Sequence, residues 1–190
     1  MIAAPKAVIA GVALCCGVAS FAGGARADEG VPSGKIGAFF AGRQNVGELA
    51  DRYSLGVMWG VYAGYQPSTI ARPWSLGVDW SVAWGRFFVS DPRLVGGSLQ
   101  VLEVSLGTRL RWLLEEGSAR FWTLSGGASL VRTSAAIPPD DDRLLVAPYV
   151  GLGVETVLGG RGVLAIDARY AGIGSGPASL SILIGFALGS

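Results

Sequence analysis

A chain of 190 residues with a net charge of +1 has room for one domain and lacks the surplus of basic residues that nucleic-acid-binding proteins carry. It contains no histidine, which excludes acyl transfer and proteolysis that depend on an imidazole base. Half of the residues are apolar, only 15% are charged and 30 are glycine, a combination that is unusual for a water-soluble globule.

The first 27 residues have the organisation of a secretory signal peptide. Lys6 supplies a positive charge, residues 7–24 are apolar and uncharged, and residues 25–27 have the small-x-small pattern that signal peptidases cleave. We therefore predict cleavage between Ala27 and Asp28. A retained membrane anchor is the alternative, although the apolar stretch is marginal in length for a membrane span.

Cleavage would divide the chain into a signal peptide (1–27), a short lead (28–34) and one domain (35–190). Cys15 and Cys16 both lie in the signal peptide, so the mature chain would have neither disulfide nor thiol chemistry. A lipoprotein signal is disfavoured, because a large leucine rather than a small residue precedes Cys15.

The rest of the chain alternates between large and small residues with a period of two, the pattern of β-strands. Turn-forming Gly, Pro, Ser and Asp residues separate the alternating segments, and no long amphipathic helix is predicted. The eight predicted strands cover residues 35–42, 53–65, 74–88, 98–114, 121–132, 144–157, 162–171 and 178–188.

The two faces of these strands decide what surrounds them. In "WSLGVDWSVAWGRFF" (74–88) one face is Trp, Leu and Val, and the other is mostly Gly, Ser and Ala. A strand face in contact with water normally carries larger polar residues, since glycine weakens strands. We therefore place the small face in a narrow interior and the bulky face in lipid, which predicts an all-β transmembrane barrel.

Seven charged residues of the predicted strands lie on the small-residue face, so we expect them to pair inside the barrel. Unpaired charge in a narrow interior would be costly. We favour a structural network that fills the lumen, and the alternative is an ion path. The predicted network contains Asp79, Glu103, Arg109, Arg111, Glu155, Asp167 and Arg169.

Aromatic residues near the strand ends predict two girdles at the membrane interfaces. With both chain ends in the periplasm, Tyr65, Trp74, Trp112 and Trp122 would face outward at the periplasmic rim. Tyr53, Trp84 and Tyr170 would do so at the opposite rim. Trp59 and Trp80 lie in mid-strand and do not fit this pattern.

The segments "YSLGVMWGVYAGY", "WSLGVDWSVAWGRFF" and "SLSILIGFAL" make the chain from about residue 33 to residue 190 resemble the small outer-membrane barrels of the OmpA/OmpX type. The resemblance implies an eight-stranded antiparallel up-and-down barrel in the outer membrane of a Gram-negative-type envelope, with membrane lipid as its partner. Two features depart from the family pattern. The chain ends Phe186-Ala-Leu-Gly-Ser190 rather than in an aromatic residue, and Pro148 interrupts a strand, where it predicts a bulge.

Three functional classes remain open. The leading hypothesis is a monomeric structural or surface barrel with a side-chain-filled lumen. The alternatives are a narrow passive pore for small solutes or ions, and a soluble exported barrel that binds an apolar ligand as lipocalins do. We predict no catalytic residue, cofactor, metal site or nucleic-acid partner, and the sequence does not identify a surface partner. The acidic run Asp140 to Asp142 could bind a divalent cation, but a solvated loop tip is the commoner role for such a run.

Overall fold

The computed structural model describes residues 33–46, 50, 53–66, 74–89, 97–114, 120–135, 143–158, 161–172 and 178–190. The predicted signal peptide and most of the short lead lie outside the described residues, as do Asp140 to Asp142. The described strands are β1 (Gly34–Val46), β2 (Tyr53–Tyr65), β3 (Trp74–Val89), β4 (Ser98–Leu113), β5 (Arg120–Ala135), β6 (Arg143–Leu158), β7 (Gly162–Gly172) and β8 (Ala178–Gly189).

The eight strands form one closed antiparallel barrel in which each strand pairs with its sequence neighbour and β8 pairs with β1. The prediction of an eight-stranded up-and-down barrel is therefore confirmed. Because strand direction alternates, β1 begins and β8 ends at the same end of the barrel, which we call the terminal end. The opposite end, where β1 connects to β2, is the loop end.

The hydrogen-bond register is staggered, so that one circuit of the barrel does not return to the residue where it began. Paired residues of successive strands can be followed once around the barrel. The path runs through Lys35, Gly64, Asp79, Gly107, Gly127, Tyr149, Ala171, Ser179 and Asn45. It returns to β1 ten residues further on (45 − 35), so the shear is ten. A shear of this size tilts the strands by about 40° and leaves an interior just wide enough for side chains.

The side-chain faces follow the predicted inversion, with small, polar and charged residues inside and large apolar residues outside. Exposed positions include Leu106 (67% exposed), Ile182 (58%) and Val150 (53%), each in the middle of its strand. Interior serines are buried, as for Ser129 and Ser105. The barrel therefore presents an apolar belt to its surroundings, which is the arrangement that hydrocarbon favours.

Some local features differ from the sequence-based expectations. The first strand reaches Val46 rather than residue 42. Pro148 does not form a bulge, because the register between β5 and β6 continues unbroken through its pair with Ala128. Pairing between β6 and β7 begins only at Tyr149, so the missing amide of Pro148 costs no bond to β7.

The outward face predicted for Tyr53 is wrong. The pairs Tyr53–Val89 and Gly56–Phe87 bracket an irregularity that places one extra residue in β2. Such a bulge reverses the alternation, so Tyr53 points into the barrel and is only 3% exposed. Leu55, on the other side of the bulge, points outward and is 58% exposed.

The described residues contain no helix that is long and apolar enough to cross a membrane.

Candidate functional site

The lumen contains two clusters of charged side chains, one nearer the terminal end and one nearer the loop end. The cluster nearer the terminal end, which we call the lower cluster, consists of Lys35, Asp79, Arg109, Arg111, Glu155 and Asp167. The cluster nearer the loop end, which we call the upper cluster, consists of Arg43, Glu103 and Arg169, with the hydroxyl groups of Ser105 and Ser129. All seven residues of the predicted network lie in these two clusters.

Arg109 is at the centre of the lower cluster. Its Nη1 and Nη2 donate to the two carboxylate oxygens of Asp167 at 3.2 and 3.1 Å, and its Nε donates to Asp79. Thr123 completes the site by donating to Asp167 Oδ1 at 3.1 Å. One guanidinium therefore joins strands β3, β4 and β7 through fork-shaped, charge-assisted bonds.

Glu155 is the second anchor of the lower cluster and is fully buried. Lys35 Nζ donates to its Oε2 at 2.8 Å, and Arg111 Nη2 donates to its Oε1. Arg109 Nη1 lies 3.9 Å from the same carboxylate, which links the two anchors. A carboxylate without water contact is acceptable here because three cations surround it.

The upper cluster is built around Glu103. Arg43 Nη1 donates to its Oε2 at 2.5 Å, while Ser105 and Ser129 donate to its Oε1 at 3.0 and 2.9 Å. Arg169 lies at the edge of the cluster, 4.0 Å from Glu103, and stacks over the Tyr149 ring at 4.3 Å. Cation–π stacking stabilises that guanidinium where ion pairing is weak.

The small residues of the inner face make room for these side chains. Gly64 pairs with Asp79, and Gly153 pairs with Asp167, each directly across the sheet. A Cβ atom at either glycine would collide with the carboxylate of its partner. The glycines therefore allow charged side chains to fold across the sheet within a narrow barrel.

Sequence reasoning missed Lys35 and Arg43. Both lie on the inner face of β1 and are 8% exposed. The segment "KIGAFFAG" has Phe39 and Phe40 on opposite faces, so its alternation did not identify the inner face. Only the register with β2 in the structure identifies it, because Lys35 pairs with Gly64 on the small-residue face of that strand.

Apolar side chains, which we call the apolar layer, are buried beside the upper cluster and towards the loop end. Tyr53, Phe87, Leu99, Val101 and Val131 are each less than 9% exposed and belong to one buried cluster. Met58 belongs to it as well and contacts Arg43 Nη1 through its sulfur at 3.3 Å. Towards the loop end the interior is therefore mixed, because these apolar side chains lie among the buried polar residues Asn45, Ser98 and Thr133.

A small cavity remains between the two charge clusters. Its volume is about 30 Å³, and its lining includes Phe39, Tyr62, Arg109 and Tyr149. The buried Tyr62 hydroxyl has no hydrogen-bond partner among the described residues. This volume holds on the order of two water molecules.

The predicted interfacial aromatics other than Tyr53 occupy the outer face. At the terminal end, Trp74, Trp112 and Trp122 form consecutive cross-strand pairs on β3, β4 and β5. Tyr65 is half-buried near them, at the end of β2. These four positions lie at the ends of their strands, where an interfacial girdle is expected.

The remaining aromatics are arranged differently. Trp84 packs edge to face against Trp59, with ring centroids 4.3 Å apart, and Trp59 pairs with Phe40 across the sheet. Trp59 lies in the middle of β2, so this row of three extends into the apolar belt. Tyr170 is 43% exposed near the loop end of β7.

Comparisons with known proteins identify this architecture. No protein-family model matches the chain, and no curated protein matches it in sequence. Among solved structures, Neisserial surface protein A (NspA) matches with a TM-score of 0.62 and 16% identity, over 83% of this chain and 97% of that chain. Ail, the attachment invasion locus protein of Yersinia pestis, matches with a TM-score of 0.53 and 15% identity, over 83% and 99%.

The outer membrane protein OprG of Pseudomonas aeruginosa matches with a TM-score of 0.51 and 14% identity, over 87% of this chain and 95% of that chain. Sequence identities this low show that the folds are alike and nothing more. Together with the closed barrel, the inverted faces and the filled lumen, they show that this chain has the fold of the small eight-stranded outer-membrane β-barrels.

Proposed function

We propose that the protein is an integral outer-membrane barrel with a structural or surface role and a lumen filled by its own side chains. The observation that carries this proposal is the interior itself. Two charge clusters and the apolar layer together occupy the lumen. The apolar belt supports membrane lipid as the immediate partner.

We propose further that the protein acts as a monomer, without a cofactor and without enzymatic activity. All eight strands are paired within one chain, so no open edge needs a second copy. The absence of histidine from the sequence supports a non-enzymatic role. Within the described part of the chain, no group of three acidic, cysteine or histidine side chains is placed to hold a metal ion.

The names of the similar structures favour the surface part of the proposal. NspA is described as a surface protein, and Ail as an attachment and invasion locus protein. If this chain has a comparable role, the loop end would present it, because the connections there would face away from the periplasm. We therefore propose the loop end as the surface that meets an external partner.

A narrow passive pore is the main alternative, and bilayer conductance tests it. We expect the refolded protein in a planar bilayer to give no steady open-state current above that of a protein-free bilayer. The expected reason is that Glu103 and its partners, together with the apolar layer, block the lumen. A reproducible stepwise current at constant voltage would contradict the filled lumen and favour the pore.

A soluble, lipocalin-like barrel is the second alternative. Lipocalins hold an apolar ligand in an apolar interior, whereas this lumen contains buried charges and a cavity of about 30 Å³. The test is migration on a detergent gel with and without heating. We expect the unheated protein to migrate as a compact folded barrel, and recovery in a detergent-free periplasmic extract would contradict membrane integration.

A further inference from the structure

The outer face of the barrel carries charges of one sign. Among the described strands, the four acidic residues all lie in the lumen. The charged side chains that point outward from these strands are Arg86, Arg120 and Arg132, and all three are exposed. Arg120 begins β5 at the terminal end, whereas the other two lie near the loop end.

Arg86 and Arg132 lie on the same side of the barrel. Arg86 pairs with Gln100, and Gln100 pairs with Ser134, so one register row crosses β3, β4 and β5. Arg132 is two residues from Ser134 on the same outward face. Strand spacing and rise place the Cα atoms of the two arginines roughly 12 Å apart, on the order of two side-chain lengths.

The surroundings of these arginines are apolar rather than aqueous. Arg86 lies between the outward-facing Trp84 and Phe88 along β3, which are 37% and 54% exposed. Arg132 pairs with Leu102 on β4 and with Leu144 on β6, and the latter is 67% exposed. Both arginines therefore lie at the edge of the apolar belt.

Neither arginine is neutralised by the protein within the part of the chain that the structure describes. Neither Arg86 nor Arg132 has a hydrogen bond or ion pair to another described residue. A cation at the edge of hydrocarbon is costly unless it reaches an anion at the headgroup level. Guanidinium groups bind phosphate through two parallel hydrogen bonds, which a single lysine ammonium cannot reproduce.

From this arrangement we propose that Arg86 and Arg132, with the side chains of Gln100 and Ser134 between them, bind a lipid that carries two phosphate groups in the leaflet at the loop end. Each arginine holds one phosphate, and the intervening amide and hydroxyl donate to the sugar or phosphate oxygens between them. The occupant is a bisphosphorylated glycolipid. The proposal rests on the membrane location proposed above.

Native mass spectrometry of the folded barrel in detergent tests the site, with diphosphoryl lipid A as the probe. We expect the unmodified protein to retain one molecule, and we expect the Arg86→Gln/Arg132→Gln double variant to bind at least tenfold more weakly. Arg120→Gln removes an exposed outward arginine at the opposite end and should leave binding unchanged. Monophosphoryl lipid A should bind more weakly than the diphosphoryl form.

Equal binding by the double variant would overturn the site, and so would equal retention of phosphatidylglycerol, which would indicate a general preference for anionic lipid. Heat-dependent gel migration of each variant is measured in parallel. If the unmodified protein inserts into vesicles but shows no preference for diphosphoryl lipid A, the lipid site fails alone. If it does not insert, the proposed membrane location fails.

Discussion

On the inner face of this barrel, the neighbouring strand limits the size of the side chain that a position can hold. Tyr149 points into the lumen next to Gly107 and Gly127, which pair with each other across β4 and β5. A Cβ at Gly107 would collide with the Tyr149 hydroxyl, and a Cβ at Gly127 with the backbone of β4. The inner face is therefore small where large side chains from neighbouring strands cross it.

Replacing Gly127 by alanine should destabilise the barrel by about 1–3 kcal/mol, because the new methyl group meets the Leu106 carbonyl and the Gly107 Cα and the strands must shift. The adjacent Gly126 is the matched control. Its nearest neighbour is the Tyr149 carbonyl at 3.7 Å, so Gly126→Ala should fit without strain. Urea unfolding in lipid vesicles measures both, and equal stabilities would contradict the packing described for Gly127.

The charge clusters make a second prediction at this scale. Arg109→Met should destabilise the barrel by about 3–5 kcal/mol, because it leaves the buried carboxylates of Asp79 and Asp167 without their shared cation. Urea unfolding is again the measurement. Adding Asp79→Asn and Asp167→Asn to the same chain should recover much of the loss, since the uncompensated charges are then absent.

Arg120→Gln is the control for that series. Arg120 is exposed on the outer face at the terminal end, so its removal should change unfolding by less than about 0.5 kcal/mol. A cost for Arg109→Met as small as the cost for Arg120→Gln would show that the lower cluster does not stabilise the fold.

At the scale of the element, β2 combines two alternation patterns in one strand. From Gly56 to Tyr65 the residues follow the regular in-and-out order, and the extra residue near Leu55 reverses that order for Tyr53. The reversal adds a large aromatic side chain to the apolar layer at the loop end. A bulge at a barrel rim can thus move one side chain from lipid to the interior without ending the strand.

Substituted-cysteine labelling tests the bulge. In a chain without the signal peptide, which has no other cysteine, Leu55→Cys should react with a membrane-soluble maleimide because position 55 faces outward. Tyr53→Cys should react much more slowly in the folded barrel, and both should react equally after unfolding. Equally fast labelling at positions 53 and 55 in the folded barrel would mean that the strand keeps one alternation throughout.

At the scale of the whole molecule, the barrel inverts the distribution of polarity found in water-soluble proteins. Leu106 and Leu144 are both 67% exposed, but Leu106 lies in mid-strand and Leu144 is the second residue of β6. In water such exposed positions would tolerate polar replacement equally. In a bilayer they differ, because the cost of a lipid-facing charge depends on its depth.

Leu106→Arg should therefore destabilise the folded barrel by about 2–4 kcal/mol, and Leu144→Arg by about 0–1 kcal/mol. Urea unfolding in vesicles compares the two variants at matched exposure. Equal and small effects would indicate that the belt does not face hydrocarbon, and would support the soluble alternative.

Much of this protein follows from its sequence, because a barrel in lipid imposes one rule on each strand. Every second residue must be apolar to face hydrocarbon, so the alternation alone predicted eight strands, the all-β barrel, the outer belt and an interior that contains Asp79, Glu103, Arg109 and Glu155. Closure follows as well, since unpaired backbone groups cannot remain in lipid.

Only the tertiary structure decided which residues meet across the lumen. Lys35 and Glu155 are 120 positions apart in the chain, yet they form an ion pair because the shear of the closed barrel brings β1 opposite β6. The inward position of Tyr53 likewise depends on how β2 pairs with β3. Alternation determines the face of a residue, whereas register and curvature determine its partner, and these belong to the closed barrel as a whole.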